Sequence, residues 1–532
     1  MISSIRPLTA MTASSVVLLS MLGGCNRGTA PPPPAVVAQP ALPAIDLKES
    51  AAFPLKAHVE SAEIATGDYN FDRLFEAGRA LFHTAFNGLD GVGVAVAPGG
   101  IHVDRFTPLG PRGPNSQSCA ECHNTPVRAA GGLAHSSVVD DPKDKGIPPF
   151  NVRSATSLFG DGILQLLAQE MTEELQALRD DAAKAATAAP GTPVTRELRS
   201  KGTNYGSIVA TANAGGQVMF DLSRVSGIDP DLVVRPMGWK GFAPLVRNIT
   251  LAAAARGMGM FGEEFVWKQP GGDQHPDIDG DGVTRELSVG DITAITVYTA
   301  AQETPTDLQR LATLGYVQAP TNEQVARIQA GRAAFDAIGC ASCHTPEMPL
   351  ANTRFEEPTS RGNGYYYDQA LAKHNPGYDP KRPFAFDILK DAQPPRAEAR
   401  AGGGAIIRLF GDLKRHAMGR LLADPAGPSP SRGADLAPMK YDGKPLIVPA
   451  DQFLTAELWG VANTGPWLHD NRAGTLREAI LLHGEDKPPA QGSPTRSEAQ
   501  EARDAFVTRS AADQEAVIAF LCSLRTFSPE KP

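Results

Sequence analysis

Several stretches of the chain repeat apolar residues at intervals of three and four. FDRLFEAGRALFHTAFNG, from Phe71, and EQVARIQAGRAAFDAIG, from Glu323, each place them on one face, which predicts two amphipathic helices. QEAVIAFLCSLRTF, from Gln514, has the apolar spacing of a closing helix. LQALRDDAAKAATAA, from Leu175, is an Ala-rich helix that breaks at APGTP and reads as an excursion from the first half of the chain. The pattern predicts a mainly α fold of short helices joined by long loops.

The first 25 residues follow a different pattern. MISSIRPLTAMTASSVVLLSMLGGC has one early Arg and a short apolar run, then Leu-Gly-Gly before Cys25. The run is too short to span a membrane and has the layout of a secretory signal. A Cys directly after small residues resembles a bacterial lipobox, which implies lipidation at Cys25. A Pro-rich tether of polyproline type follows, over residues 26–60. These features predict a body in the periplasm or cell envelope that touches the membrane only through a lipid anchor. No later stretch is long and apolar enough for a transmembrane helix.

Composition changes the picture little. The chain has 532 residues with 52 Gly and 45 Pro, and aromatics make up 6%. Those proportions fit long loops. The net charge of −9 comes without a long basic run, which argues against a nucleic-acid surface.

The cysteines are more telling. Of six, Cys25 belongs to the leader, and Cys522 lies in an apolar helical pattern, which predicts a core thiol. The other four form Cys119-Ala-Glu-Cys122-His123 and Cys340-Ala-Ser-Cys343-His344. CxxCH is the pattern of c-type heme attachment: two thiols meet two vinyl groups and the adjacent His reaches the iron. A zinc ribbon would need both pairs to converge and gives no reason for the two His. A thioredoxin-like pair would need a βαβ context, which is absent from the pattern. The motifs predict two covalently bound hemes c, in domains spanning 61–315 and 316–532, each cytochrome c-like.

Two CxxCH motifs, with FNGLDGVG, RPMGWKG and TAELWGVANTGPWLHDNRAGTLREAILLHG, resemble the di-heme oxidoreductase family, related to bacterial di-heme cytochrome c peroxidases, the methylamine dehydrogenase-maturing enzyme and rubber oxygenases. The resemblance implies a reactive N-terminal heme and a C-terminal heme that relays electrons. PWLHDNRAGTLREAILLH matches a peroxidase stretch that supplies a Met ligand, and His483 takes that Met's position. The second iron is therefore expected to be bound by His344 and His483, with His416 and Met418 as competitors and His469 nearby. On the first heme, His135 is the candidate distal ligand or gate. Glu170, in SLFGDGILQLLAQEM, is the candidate acid–base, followed by Glu173 and Glu174. Trp239, beside Lys240, is expected near the hemes as an electron stepping-stone, the alternative being a core aromatic.

HPDIDGDGVTRELS places Asp277, Asp279 and Asp281 at alternate positions, then Gly282 and Glu286. Alternating carboxylates around a Gly-permitted turn make a candidate Ca²⁺ loop, with the Val283 carbonyl as a further ligand; the alternative is an acidic turn. The expectation is a di-heme oxidoreductase that reacts with peroxide or O₂ and is fed by a redox partner protein or a quinol-linked donor. The alternatives are a purely electron-transferring cytochrome and an oxygenase of an organic or protein substrate.

Overall fold

The helix Phe71–His83 forms where the sequence predicts it. The Asn70 side chain accepts from the Arg73 N–H and caps it, and Leu74, Phe75, Gly78, Leu81 and Phe82 make its buried face. Each large apolar side chain sealed there contributes about 1.5–3 kcal/mol. The partner is the helix Val289–Ala300, every residue of which is buried. The two cross at Gly78, where a Cβ would stand 2.0 Å from the Ala294 carbonyl oxygen, so only Gly permits the contact.

The same crossing recurs later in the chain. Helix Asn322–Ala337 starts at a Thr321/Gln324 capping box and packs on helix Ala511–Leu521. Here a Cβ on Gly331 would stand 1.9 Å from the Ala516 carbonyl oxygen. Tyr298 packs on Phe75 and Phe82 at one crossing, and Phe520 on Phe335 and Phe410 at the other.

The computed structural model describes residues 57–93, 106–107, 110–111, 116–124, 151–269, 271–272, 274–359, 361, 382–431 and 439–527. The leader, Cys25, most of the tether and His135 lie outside them. Residues from 52 onward form one packed unit. Within it Cys119 and Ala120 rest on a large apolar cluster running from Val59 to Trp459, and Cys340 and Ala341 on a smaller one built on Phe335, Phe410 and Phe520.

The fold is mixed rather than mainly α: 35% of the described residues are helical and 16% are in strands. The largest sheet is an antiparallel meander of Val194–Ser200, Thr203–Ala212 and Val218–Asp221. It follows the long helix Asp161–Ala188, which packs against it. VTRELRS and TNYGSIVATA carry the β-branched residues and near-alternating burial of half-buried strands. Most other strands are ribbons of two to four residues between the loops, too short to leave a periodic signal.

Candidate functional site

Both CxxCH motifs open onto one cavity of about 1190 Å³. Ser118 caps the single helical turn Cys119–Cys122, and the His123 N–H donates to the Cys119 carbonyl at 3.0 Å. In the second motif the His344 N–H donates to the Cys340 carbonyl at the same distance. These turns gather both thiols and the imidazole on the cavity wall.

The two imidazoles are oriented alike. His123 Nδ1 lies 3.1 Å from the Thr156 carbonyl, and His344 Nδ1 lies 3.1 Å from the Phe410 carbonyl. A carbonyl only accepts, so Nδ1 carries the proton and Nε2 keeps its lone pair for a metal. Phe82 stands 6.3 Å from His123, and Phe335 the same distance from His344. Burial pushes both histidines down to about 4, which keeps them neutral. Burial also pushes the Cys119 thiol up to about 12 and Cys340 to about 11, the opposite of an activated redox thiolate.

His483 follows the short helix Leu476–Leu481, which starts at a Thr475/Glu478 capping box. Its Nδ1 donates to the Ala479 carbonyl at 2.7 Å, leaving Nε2 free. The His344 and His483 ring centres are 6.4 Å apart. An iron between two imidazoles stands about 2 Å from each nitrogen, with each ring centre about 1 Å further back, so the centres should lie about 6 Å apart. The second motif and His483 therefore fit a heme iron between them.

The competing ligands are differently placed. His416 contacts Asp412 through Nε2 at 2.8 Å and Glu498 through Nδ1 at 2.7 Å, so neither nitrogen is free for iron. Burial opposes its charge, but hydrogen bonds to Asp412, Cys343 and Glu498 prevail and lift it to about 11. Met418 lines the cavity. His469 also lines it, stacked 4.3 Å from Phe453, which takes the Lys240 ammonium on its ring at 4.1 Å.

The His483 segment has a counterpart in the first half of the chain. A bridge joins Met237 to Ala243, and an equivalent one joins Trp467 to Ala473. A helix follows each after the same interval, with Leu245 and Thr475 at the N-cap positions. Counting from either the bridge or the cap, His483 falls on Ala253. Ala253 lines the cavity at the end of helix Val246–Ala253, where the chain passes into a π-helical turn, Ala254–Met258. The first-half counterpart of the His483 segment is therefore the stretch from Met237 to Ala253.

Trp239 lies on the cavity wall and donates from Nε1 to the Ser154 carbonyl at 2.9 Å. Glu170 does not line the cavity. Its carboxylate accepts from Lys201 at 2.5 Å and from the Asn352 N–H at 2.7 Å, which ties the long helix to the strand at Met348–Leu350. Glu173 pairs with Arg361, and Glu174 accepts from Ser200. These carboxylates hold the excursion in place.

Three further wall residues emerge from the structure: Asp161, Glu457 and Trp459. Asp161 ends a Leu-Phe-Gly-Asp tetrapeptide that recurs at Leu409–Asp412, and this repeat was the available signal. Burial, then the nearby Glu457, raises Asp161 well above the carboxylate range. Burial raises Glu457 to about 7, and its Oε1 has no hydrogen-bond donor. The Trp459 indole covers Gly160, where a Cβ would stand 2.5 Å from the ring.

Away from the cavity, one oxygen from each of Asp277, Asp279 and Asp281 lies within 4.8 Å of the others. At an effective dielectric near 20, each charged pair repels by about 3–4 kcal/mol. Burial, then neighbouring carboxylates, pushes Asp279 up to about 7. Burial is likewise the main cause that lifts Glu286 to about 10, although its Oε2 accepts from the Phe261 N–H at 2.7 Å.

No family model matches the sequence, and no curated protein matches it. Among solved structures, the chain is similar to a MauG-like protein associated with microbial copper homeostasis. That likeness covers 59% of this chain and 78% of the other, at 14% identity and a TM-score of 0.26. A likeness of that size carries no argument about fold or function.

Proposed function

We propose that this chain is a di-heme c-type oxidoreductase of the cell envelope with one reactive and one relaying heme, as in the family its motifs resemble. The observation that carries the reading is the asymmetry of the two half-sites. His344 faces His483 with ring centres 6.4 Å apart, whereas the position matching His483 in the first half is Ala253.

Bound heme c would supply an iron that accepts and passes single electrons. Cys119 and Cys122 would hold one porphyrin through thioethers, and Cys340 and Cys343 the other. His123 and His344 would each ligate one iron, and His483 would be the second ligand at the second site. Ala253, which carries no ligating side chain, would leave the corresponding position at the first site open to peroxide or O₂. Glu457, raised to about 7 by burial, holds or gives up a proton on the shared wall, with Asp161, which burial also raises, near it. Trp459, between the two Leu-Phe-Gly-Asp loops, and Trp239 are the aromatic stepping-stones between the halves. A redox partner protein or a quinol-linked donor supplies the electrons, and a lipid on Cys25 keeps the enzyme at the membrane.

The test is a carbon monoxide titration of the fully reduced protein, followed at the Soret band. The reading expects uptake of one equivalent per chain. Uptake of none, or of two, would overturn the asymmetry.

A further inference from the structure

The loop at Asp277–Asp281 takes no part in the heme reading, yet it holds an unusual group. Asp279 is fully buried, at 0% exposure. Neither of its carboxylate oxygens has a hydrogen-bond donor. The nearby donors are used elsewhere: the Gly280, Asp281 and Gly282 N–H groups all turn to Asp277, at 2.7, 3.2 and 3.1 Å. A buried carboxylate without a donor is costly unless a cation satisfies it. The carboxylates of Asp277 and Asp281 converge on it, with one oxygen from each of the three within 4.8 Å of the others.

We propose that Asp277, Asp279 and Asp281 bind one Ca²⁺ ion. Three carboxylates and no nitrogen or sulfur donor suit a hard cation. The close spacing along one loop suits Ca²⁺, which accepts irregular oxygen shells, more than Mg²⁺, which demands a strict octahedron and keeps its waters.

The site also backs the first half-site. Glu286, five residues past Asp281, holds the Phe261 N–H and packs so closely on Gly91 that a Cβ there would stand 2.3 Å away. Two residues on, the Gly93 N–H donates to the Met258 carbonyl at 3.0 Å. Met258 closes the π-helical turn on the cavity wall. Ca²⁺ binding should therefore stiffen the part of the cavity wall that Met258 forms.

The experiment uses the full holo-protein, stripped with EGTA and titrated calorimetrically with CaCl₂ and, separately, MgCl₂. One Ca²⁺ per chain is expected, bound at least about tenfold more tightly than Mg²⁺, with a rise in melting temperature. Asp279→Ala should weaken Ca²⁺ binding by about 100-fold or more. Asp277→Ala, at a partly exposed position, gives a second reading if the buried variant does not fold. No Ca²⁺ binding up to about 1 mM, near the weak end of protein sites, would overturn the proposal. So would equal affinity for Mg²⁺, or unchanged affinity in a folded variant. The heme reading is unaffected by any of these results.

Discussion

Gly331→Ala places a methyl group at the crossing of helices Asn322–Ala337 and Ala511–Leu521. Its Cβ would meet the Ala516 carbonyl oxygen at 1.9 Å, the carbonyl carbon at 2.5 Å and the Phe520 Cβ at 2.9 Å. The first two are backbone atoms and cannot swing aside. Restoring ordinary contact requires the helices to part by about 1.5 Å, and a gap of 0.5–1 Å already forfeits about a quarter to a half of each dispersion contact. Overpacking costs about 1–3 kcal/mol, and the upper end applies because backbone must move. Exchanging Gly for Ala inside a helix returns about 1 kcal/mol. The net expectation is a loss of about 2 kcal/mol, read by denaturant unfolding at the Soret band. The damage should be local. Phe335, one turn on, packs on Phe520 at 5.3 Å and backs His344 at 6.3 Å. The spectrum of the second heme should change while the first is spared, and Gly78→Ala should do the reverse. Gly88→Ala, where a Cβ meets nothing within 4 Å, is the control and should stay within about 0.5 kcal/mol. A Gly331→Ala protein as stable as the control would refute the crossing as the element that organises each half.

Three other outcomes follow from the site. His483→Ala should turn the second heme from low-spin to high-spin, and Ala253→His should do the opposite at the first; visible spectra and ligand binding read both. Glu457→Gln should slow peroxide turnover by about 10²-fold or more and remove a pH dependence centred near the Glu457 value of about 7, while the second heme's spectrum stays unchanged. His416 is raised from 6.5 to about 11, so its charged clasp on Asp412 and Glu498 contributes fully below about pH 6.5. That contribution declines as pH rises and is gone above about 11, with a slope of at most about 1.4 kcal/mol per pH unit. Unfolding of His416→Gln between pH 7 and 10 should be correspondingly flatter than wild type.

The two CxxCH clusters were legible because heme attachment would dictate their spacing, two thiols and then an imidazole. His483 was legible through the resemblance of its stretch to one that supplies a ligand, and the structure sets its ring 6.4 Å from that of His344. The rest was hidden for physical reasons. Ala253 is informative only as the residue that is not histidine, and its register with His483 appears only through the matching bridges and helix caps. Glu170 had the sequence context of a catalytic acid, but the fold turns it toward Lys201 and the backbone of Asn352. Helix Val289–Ala300 is buried all round, so it carries no amphipathic stripe to read. The meander after residue 194 did carry alternation, but it sits directly behind a long helix that dominates the pattern.

The central claim is that two half-sites built alike hold hemes whose far faces differ. Electron paramagnetic resonance of the oxidised holo-protein tests it most directly. The account predicts two signals of equal weight: a low-spin ferric heme held by His344 and His483, and a high-spin ferric heme held by His123 alone. Two low-spin signals, with no high-spin component, would contradict it.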